Sequence, residues 1–395
     1  MKFWTLFGFE TKKLFRRKMV WACMTAMVAM SLVTGFLSNQ SSSHSFNGIE
    51  ISGDAYARLT RESENALSGR VIDDSLLREV EVAVKTVNEM PITTYEDVEH
   101  LLGYQGHLSV QRWIKQMYDE VPENLAAEQL YAHRTAFQAH WMEELALTEG
   151  ERRWWRQREQ QVETPIVYTR TSTWENISGI VYSLNIMGIL ALAVCLPGIF
   201  SDEHTRRTDQ LNLSAPAGKR LYGVKLLLGT VFGFGSFLLY WICGVLPAIW
   251  MQGADGFYGA IQLVIPDYAM ALSVGEMALI LSVLLLMSSL ICSVFVMVMA
   301  ELLHSGLAAT ALTVALVILV DMLPIPYAVR WLEEIISYLP SQMVTLWEAF
   351  DTRLFPWFGT YLAPWQAAPF VWLSVGLLLA WVGKRSYSRY QISGR

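Results

Sequence analysis

Residues 12–38 read KKLFRRKMVWACMTAMVAMSLVTGFLS, and this stretch decides what kind of chain it is. Five bases (Lys12, Lys13, Arg16, Arg17 and Lys18) stop at Met19, and no charge follows through Ser38. A helix rises ~1.5 Å per residue and a bilayer core is ~30 Å thick, so about 20 apolar residues cross it. The run exceeds the roughly 7–15 residues of a signal-peptide core, and no clear small-residue cleavage site follows it. Met19–Ser38 is therefore expected to remain as a membrane anchor.

Working outward, the charge-free stretches Asn176–Ser201, Leu226–Ala254 and Met277–Ala300 repeat the pattern. Ser305–Val320 is shorter and runs into Asp321 and Pro324, and a last stretch begins near Gln366 and ends at Gly383. Six spans, at 19–38, 176–200, 221–250, 271–300, 305–324 and 366–383, are the most economical reading. Bases flank them unevenly. Besides the first cluster there are Arg206, Arg207, Lys219, Arg220 and Lys225 between spans two and three, and Lys384, Arg385, Arg389 and Arg395 after span six. Six spans put all three clusters on one side, which by the positive-inside rule is the cytoplasm. Both termini are then cytoplasmic, as are the entry helix 1–18, the loop 201–220 and the tail 384–395. Residues 39–175 and 325–365 lie outside. The expected fold is an all-α integral membrane protein with six transmembrane helices and a mainly helical extracellular domain between spans one and two.

The bulk composition agrees. Hydrophobic residues make up 53% and charged residues 17%, against roughly 25% charged in a soluble domain. Mean hydropathy is only +0.30 because two materials are averaged. Residues 39–175 carry 23 acids and 13 bases, while the remainder carries 13 acids and 17 bases. No basic, charge-rich domain exists to grip a phosphate backbone, so a nucleic-acid partner is excluded. The four cysteines all sit in apolar runs, which excludes a disulfide-stapled outer domain.

Within 39–175, Asn39–Ser45 reads as a Ser-rich linker. Val110, Trp113, Ile114, Met117 and Tyr118 recur at helical spacing, as do Leu130, Phe137, Trp141 and Leu145 after a candidate N-cap at Asn124. Val80, Val82 and Val84 alternate as in a strand, so that segment reads either way. His133 and His140 share a helical face but lack a third ligand, so exposed histidines are expected and no metal. Arg152, Arg153, Arg156 and Arg158 around Trp154 and Trp155 read as a solvated face paired with glutamates; an anionic ligand or lipid headgroup is the sharper alternative. Glu276 and Asp321 are the main ionisable groups in the spans and are expected near span ends.

No phosphate-binding G-x-x-x-x-G-K-[ST] is present: Leu213 stands where its first glycine is needed and Arg220 where its hydroxyl is needed. No zinc-hydrolase or nucleophile-elbow motif occurs either. The chain is expected to hold no catalytic residues, metal or cofactor of its own. Gly229 and Gly233 form a small-xxx-small pair in span three, suited to close helix packing within or between subunits.

The loop after span two is the most informative segment. Phe200, Ser201, Glu203, Arg206, Thr208, Leu211, Leu213, Ser214, Pro216, Arg220 and Lys225 stand where the permease subunits of type-2 ABC exporters carry F-S-x-E, an R-x-T, a leucine-rich turn, S-x-P and basic residues. Arg207 and Asn212 depart from that family's usual glycine and leucine. The chain resembles this family also in its amphipathic entry helix, with Phe3, Trp4, Phe7 and Phe9 beside Glu10–Lys18, and in Thr164-Pro-Ile-Val-Tyr before span two. The aromatic face of that helix suits the membrane interface, its bases anionic lipid. The resemblance implies a coupling helix that seats on a separate ABC ATPase subunit, which would hold the ATP and Mg²⁺. It implies a second permease copy or a homologous permease as partner, short extracellular helices within 325–365, and a bacterial plasma membrane. The implied function is export driven by the partner's ATP hydrolysis. The acidic outer domain is compatible with a peptide antibiotic or another amphipathic compound as substrate, with lipids, sodium ions and small drugs also open. The alternative is a membrane sensor or resistance module whose extracellular domain binds a ligand and signals through the spans.

Overall fold

The computed structural model describes residues 3–37, 44–206, 218–322 and 329–389. The chain is mostly helical. Strands among the described residues are confined to two antiparallel hairpins, β1 (His44–Phe46) with β2 (Ile49–Ile51), and β3 (Phe355–Trp357) with β4 (Thr360–Leu362). The first hairpin begins inside the expected linker, at His44.

Helices α1 (Phe3–Phe15) and α2 (Lys18–Leu37) open the chain. A helical layer follows: α3 (Gly53–Leu67), α4 (Asp74–Glu89), α5 (Tyr95–Gly103), α6 (Gln105–Lys115), α7 (Ala127–Glu144) and α8 (Glu149–Glu159). Then come α9 (Ser172–Cys195), α10 (Gly198–Arg206), α11 (Gly218–Gln252), α12 (Val274–Leu303) and α13 (Gly306–Met322). A connector holds α14 (Arg330–Ser337), α15 (Leu346–Ala349) and the second hairpin, before α16 (Pro364–Arg389). Five helices are long and apolar enough to cross a membrane: α2, α9 with its continuation, α11, α12 and α16. Helix α13 is apolar but shorter, at 17 residues.

Several local choices are explained by caps. Asp73 accepts from the backbone N–H groups of Ser75 and Leu76 and starts α4. That start resolves the valine ambiguity: in α4 Val80 is buried and Val82 exposed, a helical rather than strand pattern. Reciprocal capping boxes start α5 (Thr94 with Asp97), α8 (Thr148 with Glu151) and α12 (Ser273 with Glu276). Glu276 is thus a cap. Asn124 is not: α7 begins at Ala127 after Ala126, while Asn124 takes a left-handed turn at φ 55°.

Helix α12 is the hub of the bundle and packs on α9, α11, α13 and α16. Its buried face carries Ser289 and Ser293, each hydroxyl donating to a carbonyl of its own helix, and Ser288, whose hydroxyl is shared between the Leu285 carbonyl and Asn185. Small self-satisfied side chains let neighbouring backbones approach. Gly229 and Gly233 of α11 use that access within the chain, since an added Cβ would collide with Met297 and Ser293.

The helical layer caps one end of the bundle. Its core gathers Ile72, Leu76, Val110, Trp113 and Leu130, and also takes in Leu263 from the loop between α11 and α12. Polar fastenings add direction. The Trp113 indole donates to the Gln262 carbonyl (2.7 Å), Arg134 to the Pro266 carbonyl (2.8 Å) and Trp155 to the Thr352 carbonyl (2.6 Å). His133 is half-buried, stacked on Tyr118 with ring centroids 3.8 Å apart, so it is not the exposed residue expected. Arg152 and Arg156 reach Glu149, and Arg158 lies over the Trp154 ring (4.8 Å).

The connector reaches deep into the bundle. Asn185 lies about 20 Å along α9 at ~1.5 Å per residue. It is fully buried, accepts from Ser288 (2.6 Å) and donates to the Pro340 carbonyl (2.7 Å).

Candidate functional site

The expected site residues divide sharply in the structure. Phe200, Glu203 and Lys225 converge at the bundle end that carries α1. Thr208, Leu211, Leu213, Ser214 and Pro216 lie outside the described residues, as does the Arg206 side chain, and Arg220 is exposed.

The convergence follows from local structure. Pro197 breaks the helix between α9 and α10 because it has no N–H to donate. α10 then turns Phe200, Ser201 and Glu203 inward, all buried. Lys225 sits two turns into α11 and is fully buried. Its Nζ lies 2.6 Å from Glu203 Oε2 and 5.0 Å from the Phe200 ring centroid. The pair closes the base of the 204–224 segment, joining residues 22 apart in sequence.

Residues beyond the motif complete the site. Lys13 of α1 reaches the other Glu203 oxygen at 3.0 Å and pairs with Glu10 at 3.7 Å. Arg17 binds Asp202 (2.9 Å) and donates to the Gly198 carbonyl (2.5 Å). His204 contacts Glu301 at 3.0 Å, and its ring lies 4.5 Å from that of His304. These groups bind α1, α10, α11 and α12 together. Lys13 and Arg17 therefore serve the protein interior rather than lipid, while Trp4 and Phe9 remain exposed on α1.

Such an arrangement fastens helices to one another. Ionised groups leave water only when each meets a counter-charge, and losing one partner strands the other at several kcal/mol. A force on the 204–224 segment would reach Lys225 and Glu203 and through them three helices. The motif letters located Phe200, Glu203 and Lys225. An isolated acid in the basic entry helix, Glu10, and another at the end of an apolar run, Glu301, were the available signals for the rest. At the opposite end Asp321 accepts from the Tyr182 hydroxyl (2.8 Å). Known protein families, curated proteins and solved structures offer no match to this chain.

Proposed function

We propose that the chain is the permease subunit of an ATP-driven exporter of the type-2 ABC kind, with ATP hydrolysed on a separate subunit. The observation that carries this reading is the Glu203–Lys225 clamp. Two motif letters on either side of the loop meet at its base and tie it to α1, α10 and α11. A loop fastened in this way passes a push from a soluble partner into the spans instead of absorbing it.

On this reading α13 is the fifth of six spans; its 17 residues extend about 25 Å, close to the thickness of a bilayer core. The bases of residues 12–18 then face the cytoplasm of a bacterial cell, and the helical layer lies outside. A second permease, identical or homologous, completes the pathway. The test is ATPase activity of the chain reconstituted with its nucleotide-binding partner. Pro216→Ala and Ser214→Trp are expected to lower substrate-stimulated hydrolysis while the complex stays assembled. Unchanged stimulation in both variants overturns the coupling role.

A further inference from the structure

A cavity of about 640 Å³ lies at the capped end, between the connector, α16 and Ile291 of α12. Its walls are mainly apolar and include the aromatic rings of Trp331, Tyr338 and Phe355 beside Leu339, Met343 and Val375. The floor is firmly built. The Trp372 indole donates to the Tyr338 carbonyl (2.7 Å), Tyr338 meets Phe355 edge-on (5.7 Å), and Asn185 holds the adjoining Pro340.

The rim differs in kind. Glu334, Glu348, Asp351 and Arg353 line it, and the last three also line a second cavity of about 490 Å³ beneath the helical layer. Negative charge exceeds positive here. Both terminal nitrogens of Arg353 go to Glu333, leaving its Nε for Asp351 at 3.0 Å. Arg330 is shared between Glu334 and Glu151, each at 2.7 Å. The Glu348 carboxylate has no ion pair or side-chain hydrogen bond among the described residues. Burial and the neighbouring Glu348 charge push the Asp351 carboxyl up to about 7. Two carboxyls that repel each other beside an aromatic chamber are the complement of a cation on a hydrophobic body. Ligand cavities typically span ~300–1,000 Å³, so the volume suits one small organic molecule.

We propose that this cavity binds a cationic amphiphile: an amine or onium group on an alkyl or aryl body, the body among Trp331, Tyr338 and Val375 and the charge held by Glu348 and Asp351. The cavity is lined by residues of this chain, and the proposal does not rest on the transport reading.

The test is binding of radiolabelled tetraphenylphosphonium to the full chain in phosphatidylcholine nanodiscs, against empty nanodiscs. Saturable binding is expected, displaced by dodecyltrimethylammonium and not by dodecyl sulfate. Glu348→Gln is expected to weaken affinity roughly five-fold, the factor that corresponds to one charge interaction of ~1 kcal/mol. Among the described residues Glu348 has no side-chain partner to lose, so this variant is expected to keep the fold intact. Val375→Trp fills the chamber and is expected to abolish binding; if it fails to fold, Glu348→Lys serves in its place. Binding no greater than to empty nanodiscs, equal displacement by dodecyl sulfate, or wild-type affinity in Glu348→Gln overturns the proposal.

Discussion

The two ends of the helix bundle both carry buried charge, but they balance it differently. At the α1 end, Lys225 and Lys13 both reach Glu203, and Arg17 meets Asp202. At the capped end, Glu348 meets no cation among the described residues, and Asp351 shares Arg353 with Glu333. The physical lesson concerns what each cluster is built to do. Charges that pair completely hold helices in one arrangement, whereas charges left in excess beside a cavity are poised to receive something else. The first end therefore reads as a mechanical joint and the second as a binding place.

The largest effect is expected where the pairing is complete. Glu203→Leu would strand Lys225, which is fully buried, at a cost of about 3–5 kcal/mol. The double variant Glu203→Leu/Lys225→Met should recover most of that loss, because an apolar pair of similar volume replaces an ion pair at little cost. Thermal unfolding in nanodiscs reads both; a double variant as unstable as the single one would show that the Glu203–Lys225 charges are not what the stability loss reports. A smaller effect is expected from packing alone. Gly233→Leu would drive a side chain into Ser293, costing ~1–3 kcal/mol as overpacking does.

The capped end should betray itself through pH. Burial opposes the Glu151 charge, but donors on Arg330 and Thr148 outweigh it and hold its carboxyl below the ordinary range. Its stabilisation is therefore present above the unfolded-state pKa and is lost as pH falls through the lower folded value. Asp351 runs the other way. Its carboxyl titrates at about 7, so the folded chain holds a proton that the unfolded chain releases near 4. Between those values its contribution to stability falls as pH rises. Asp351→Asn should flatten that decline while leaving the acid limb set by Glu151; unfolding midpoints from pH 4 to 8 would show it. A decline that persists unchanged in Asp351→Asn would assign it to another group. The smallest effect belongs to the exposed pair Arg70–Glu79 in the helical layer. Arg70→Ala should shift stability by ~0–1 kcal/mol, as surface pairs do.

Much of the architecture was legible in residue order alone. Charge-free runs of about 20 residues announce membrane-length helices because bilayer thickness and helical rise are both constants. Of the layer's helices, α6 and α7 were legible from apolar spacing, whereas the valines of α4 read either way. What escaped was whatever joins distant residues. Lys13 and Glu203 lie 190 positions apart, and no local period encodes their meeting. Asn185 is an unremarkable polar residue in an apolar run until the Pro340 carbonyl arrives beside it. The connector's aromatics look like an interfacial belt, and only the fold turns several of them into a chamber. Of the loop motif, the parts that pack inward became visible as a clamp, and Thr208 through Pro216 lie outside the described residues.

On the proposed function, the clamped loop serves an ATPase on another chain. The most direct measurement is to purify the tagged full-length chain from its native membrane under mild conditions and identify what accompanies it. A nucleotide-binding subunit in a one-to-one ratio is predicted, joined to the chain by a crosslink from Ser214→Cys. A chain that purifies with no such subunit, and gives no crosslink from that position, would contradict it.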